Sequence, residues 1–150
     1  MITIQIPVRA LSVQDKKIRK KGKQRFIGNS EKSVDYKKVL SAYAMQQMRG
    51  YKMLTGNIII NKLYFIYRLP KNASAEMKNM VKDGYHIFRD KVPDCDNIMK
   101  GLFDAFNEIV WSDDKGVVFM KEVGKVYGSS DMIYIEVYST DTVMMNLGIK

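Results

Sequence analysis

The sequence predicts an α+β domain, a small mixed β-sheet with helices packed mainly on one face. Three observations predict it. Strands of alternating apolar residues stand near both ends of the chain. A longer, nearly continuous apolar run lies at its middle. Segments with apolar residues at helical spacing separate them. At 150 residues a single domain, 1–150, is expected. A chain of this size buries about 68–70% of its unfolded surface, enough for a real core. Hydrophobic residues at 46% and charged residues at 27% describe a globular chain rather than a disordered one.

Ile2, Ile4, Ile6 and Val8 alternate with Thr3, Gln5 and Pro7, which predicts a half-buried strand whose early proline suits a sheet edge. A basic loop follows over about 14–30. Its cations Lys16, Lys17, Arg19, Lys20, Lys21, Lys23 and Arg25 include no acid among them and supply most of the net charge of +9. By itself such a run is a solvated loop; it is also an efficient phosphate-binding arm, since contact with a polyanion releases counterions. A helix is predicted from Ser33 or Asp35 to Arg49, with Tyr36, Val39, Leu40, Tyr43 and Met48 on its apolar face and Gly50 at its stop. Asn57 to Leu69, rich in Ile, Tyr and Phe, reads as a central strand ended by Pro70. Ala73 to Lys82 reads as a short helix, and Tyr85 to Lys91 as a lead-in, with Arg89 and Lys91 as candidate phosphate contacts. Later come a turn at Tyr127–Ser130, a strand at Met132–Tyr138, and a tail with Met144 and Met145 that frays or covers a dimer surface.

The acidic stretch 92–125 carries the chemistry. Pro93 biases Val92 to an extended conformation, Asp94 stands where a helix can begin, and the helical pattern runs from Asp96. Ile98, Leu102, Ala105, Phe106 and Ile109 share one side; Asp96, Asn97, Lys100 and Asp104 share the other. Ser112 to Gly116 reads as a tight turn holding Asp113 and Asp114, and Val117 to Val123 as a strand. Folding back would bring Asp113 or Asp114 near the start of the helix. Taken singly, Asp94 is a helix cap, Asp96–Lys100 a surface ion pair and Asp113–Asp114 a turn. Together they form an oxygen-rich cluster suited to a hard cation such as Mg²⁺. A basic protein with such a cluster can attract a polyanion and hold the metal that cuts it.

The order P-D-x-D-N-x-x-K, a helix, an apolar residue and D-D-x-x-V-V resembles the RusA family of Holliday-junction resolvases. Its residues here are Pro93, Asp94, Asp96, Asn97, Lys100, Asp113, Asp114, Val117 and Val118. The resemblance implies a RusA-like fold and a Mg²⁺-dependent endodeoxyribonuclease, with Mn²⁺ as a substitute. It implies a homodimer that resolves four-way DNA junctions by paired symmetric nicks in recombination and repair. Asp94, Asp96 and Asp114 are then the metal-binding catalytic carboxylates, with Asp113 a further candidate ligand. Lys100 is the catalytic or phosphate-contacting cation and Asn97 a supporting residue. Cys95 stands where the family usually has an aliphatic residue, and Lys121 and Lys125 flank the place of a family basic residue.

Three other readings compete. A non-catalytic basic DNA-binding module would use Lys16 to Arg25 alone, with the acids as caps and turn residues. A metal nuclease could act on flaps, forks or RNA with the same carboxylates. A thiol enzyme would need Cys95 and His86, the chain's single cysteine and histidine, neither of which lies in a recognisable nucleophile turn. With one of each, a Cys/His zinc architecture is excluded. The N-terminus lacks signal-peptide organisation and no run is long enough to span a membrane, so a cytoplasmic protein is expected.

Overall fold

A computed structural model of the chain describes residues 1–12, 16–21, 24–29 and 31–141, with backbone alone for 16–21, 24–29 and 31. Lys23, Met144 and Met145 lie outside the described residues. The elements are β1 (Ile2–Ile6), β2 (Lys16–Lys21), β3 (Gln24–Asn29), α1 (Glu31–Gln47), β4 (Asn57–Arg68) and α2 (Ala75–Lys82). There follow β5 (Ile87–Phe88), α3 (Cys95–Phe106), a 3-10 turn (Asp114–Gly116), β6 (Val117–Gly128) and β7 (Met132–Thr140).

Five strands form one mixed sheet in the order β1-β7-β4-β6-β5, with β4 and β6 parallel and the other pairs antiparallel. β1 is at the edge, as Pro7 predicts, and β4 is central, as its long apolar run predicts. Period-2 alternation turns Leu63, Phe65 and Tyr67 of β4, Ile133, Ile135 and Val137 of β7, and Ile2, Ile4 and Ile6 of β1 into one core. α1 and α3 cover it. α1 buries Tyr36, Leu40, Ala44 and Met48 at strict four-residue spacing, and α3 buries Ile98, Leu102, Ala105 and Phe106. The Ser41 hydroxyl donates to the Ala105 carbonyl at 3.0 Å and ties the two helices together. The fully buried Trp111 packs edge-on against Phe103 and Phe106, and its indole N–H donates to Asn107 Oδ1 at 2.9 Å. This holds the return from α3 to β6.

Several expectations change. The basic stretch is not a loop: β2 and β3 pair as a separate antiparallel ribbon, with Lys16 opposite Asn29 and Lys20 opposite Arg25. Its strand formers are Ile18 among the cations and Phe26 and Ile27 just after Arg25, and the two arms are only two residues apart, which is hairpin spacing. Val39 is exposed rather than part of the α1 face. The strand after the acidic turn runs on through Tyr127 and Gly128 instead of turning there, because β6 follows the whole of β4. The short β5 was not expected.

Candidate active site

Asp94 is the N-cap residue of α3, with φ −69° and ψ 145°. Its side chain makes no capping hydrogen bond. The residue type that most often satisfies a helix's first N–H groups therefore leaves its carboxylate free here. Asp96 is in the first turn, where the helix dipole favours a negative charge. Both are exposed, and neither carboxylate accepts a hydrogen bond or forms an ion pair with any described residue. Among the described residues Lys100 is not paired with Asp96, so the surface ion pair is absent and the Lys100 ammonium faces solvent.

Asp94 opens onto a groove of about 430 Å³ that it lines with Asn97, Val92 and Pro93 on one side and Arg9 and Ser12 on the other. Arg9 is held at 3.3 Å by Asp131. Ser12 is four residues before the ribbon, about 14 Å at full extension.

Asp113 and Asp114 are together in the 3-10 turn. Asp113 caps it, accepting from the Lys115 N–H at 2.9 Å, and pairs with the Lys115 ammonium at 3.2 Å. The backbone hydrogen bond first, then the Lys115 ammonium, hold its carboxyl below the usual range. This turn packs against α3, the helix that Asp94 and Asp96 begin. No group of three His, Cys, Asp or Glu among the described residues is placed to hold a metal. The Asp94–Asp96 pair still fits Mg²⁺. That ion is usually held by one or two carboxylates, waters and substrate phosphates rather than by an all-protein cage.

Arg89 is buried, not on the surface as a phosphate contact would be. Its guanidinium stacks over the Tyr67 ring at 4.0 Å, near Tyr127 at 5.6 Å, and donates to the Lys91 carbonyl at 2.7 Å. Its Nε is buried without a partner. Burial pushes the Tyr67 phenol up to about 12, so it remains a neutral donor to the Ala10 carbonyl at 3.0 Å. Lys91 is exposed. Cys95 and His86 share no hydrogen bond. Burial raises the thiol's pKa against the opposing Lys125 charge, and a neutral thiol is a poor nucleophile. His86 lines a different groove, with Tyr64, Ile66 and Val126 on the sheet face turned from the helices. The side chains of Lys16, Lys17, Arg19, Lys20, Lys21 and Arg25 belong to the residues described by backbone alone.

Arg9 and the Arg89–Lys125 arrangement were not legible as site features. Lys125 stood out only as a basic residue late in the motif, and Arg9 reaches the groove only through the pairing of β1 at the far sheet edge.

The chain matches the family described as Endodeoxyribonuclease RusA over residues 7–138. It is also 31% identical over 102 residues to the uncharacterized protein YqaN of Bacillus subtilis (strain 168), covering 67% of this chain and 70% of that protein.

Proposed function

The chain belongs to the RusA endodeoxyribonuclease family, and from that premise we propose that it is a Mg²⁺-dependent endonuclease that resolves four-way DNA junctions. The observation that carries the reading is that no described residue binds the Asp94 and Asp96 carboxylates at the start of α3, Asp94 lining a groove with Ser12, four residues before a cation-rich ribbon. A structural cap would be hydrogen-bonded, and a structural ion pair would be closed; this pair is neither.

Asp94 and Asp96 would hold the ion, which when bound acidifies a water and stabilises charge on the scissile phosphate. The exposed Lys100 ammonium, one helical turn beyond Asp96, neutralises phosphate charge. Asn97, half-buried in the groove wall, supports the substrate strand. Asp114, with Asp113, enters the proposal on the family motif, from a turn that packs against α3. The ribbon binds the DNA backbone through counterion release. A junction has approximate two-fold symmetry, and a homodimer with an isologous interface would match it and place paired nicks.

Substrate class is tested by offering the wild-type protein a four-way junction, a flap, a linear duplex and an RNA hairpin in Mg²⁺, in Mn²⁺ and in chelator. Cutting of the junction alone, supported by either metal and abolished by chelator, is expected. Preferential cutting of flaps or RNA would replace the junction assignment, and binding of DNA without any cut would leave a basic binding module.

A further inference from the structure

We infer that Lys125, together with Arg89, is a positioning residue for the acidic pair, clamping the carbonyls of Lys91 and Pro93 and so fixing the segment that delivers Asp94 and Asp96. The consequence for cutting rests on the proposed nuclease reading; the clamp itself rests on geometry. The Lys125 ammonium donates to the Lys91 carbonyl at 2.7 Å and to the Pro93 carbonyl at 2.8 Å. The Arg89 guanidinium donates to the same Lys91 carbonyl at 2.7 Å. Three charge-assisted hydrogen bonds thus converge on two carbonyls within three residues.

The segment needs an external hold. Pro93 has no N–H, Val92 is exposed, and residues 90–94 donate no backbone hydrogen bond to a described residue. The clamp has a rigid base. Lys125 is on β6, in register with the buried Phe65 of β4, and its carbonyl accepts from the Arg89 N–H at 3.0 Å. Arg89 is buried on the Tyr67 ring, and Tyr67 is anchored in turn on Ala10. A lysine serving only as a phosphate contact would extend into solvent. This one is half-buried, and two of its three donors are used on backbone. Its charge is also felt by Cys95, which lies between the two aspartates. Lys125 therefore sets where the carboxylates stand without touching the substrate.

The test compares full-length wild type with Lys125→Met, Lys125→Arg and Lys121→Met, the last removing an exposed cation from the same strand. Amide hydrogen exchange is read without DNA or metal. Lys125→Met is expected to speed exchange at the amides of 98–100, the first of α3 with intrahelical partners, at least about tenfold while β4 and β7 keep their protection. In the junction assay it lowers the cutting rate about 10–100-fold, as loss of a group supporting a metal ligand does. It also raises the half-saturating Mn²⁺ concentration and leaves junction affinity unchanged. Lys125→Arg recovers part of both effects, and Lys121→Met shows neither. Unchanged exchange at 98–100, or faster exchange across β4 and β7 as well, would overturn the clamp. So would a loss of cutting in Lys121→Met equal to that in Lys125→Met. If wild type cuts no junction, the nuclease reading falls while the exchange comparison still decides the clamp.

Discussion

Asp94 has the backbone of a helix cap and the side chain of a ligand, and only the structure separates the two. Sequence spacing placed it where a helix begins and Asp96 and Lys100 on one face of that helix; it could not reveal that the three side chains make no hydrogen bond or ion pair with a described residue. A cap that accepted a backbone N–H would contribute about 1 kcal/mol to the helix, and forgoing that bond is a cost consistent with a residue kept for another task. Cys95, between the two aspartates, shows the reverse case, a reactive residue type in a passive place. Burial holds its thiol above the ordinary value, so less thiolate is present at a given pH. Cys95→Ala is expected to cut DNA at the wild-type rate, and the wild-type thiol to react with iodoacetamide at pH 7.5 more slowly than free cysteine. Loss of activity in Cys95→Ala, with the fold intact by circular dichroism, would restore the thiol to the mechanism.

The elements were largely legible because most obey one period. β4 and β7 alternate in their packing, and α3 repeats its apolar stripe where expected. The failures have physical causes. In β2 and β3 charge obscured strand-forming residues, so a hairpin read as a loop. At α1 the i, i+4 series from Tyr36 to Met48 is the buried line, and Val39 falls just off it. The tight wrap of Trp111 against Phe103 and Phe106 folds the chain back so that the turn of Asp113 and Asp114 packs against α3. The ribbon carries its own prediction. Replacing Lys16, Lys17, Arg19, Lys20, Lys21 and Arg25 by Gln should weaken binding to junction and duplex alike. It should flatten the dependence of log affinity on log salt by about 0.9 for each lost phosphate contact. Cutting at saturating DNA should persist. An unchanged salt slope would mean that the DNA lies elsewhere.

For the whole molecule, much of the net charge of +9 lies on the ribbon that begins four residues after Ser12, which lines the groove with Asp94. Long-range attraction of a polyanion and local carboxylate chemistry are thereby combined in one small α+β domain. Among the described residues no helix is long and apolar enough to cross a membrane. The most direct test of the central claim, that Asp94 and Asp96 form the cutting centre, separates binding from cutting. Wild type and Asp96→Asn are compared on one end-labelled four-way junction, with affinity measured in chelator and cleavage in Mg²⁺. Removing a charge that repels the DNA backbone should leave junction affinity equal or higher while cutting vanishes. Equal loss of both would make Asp96 a structural residue, and undiminished cutting would place the reaction centre away from the start of α3.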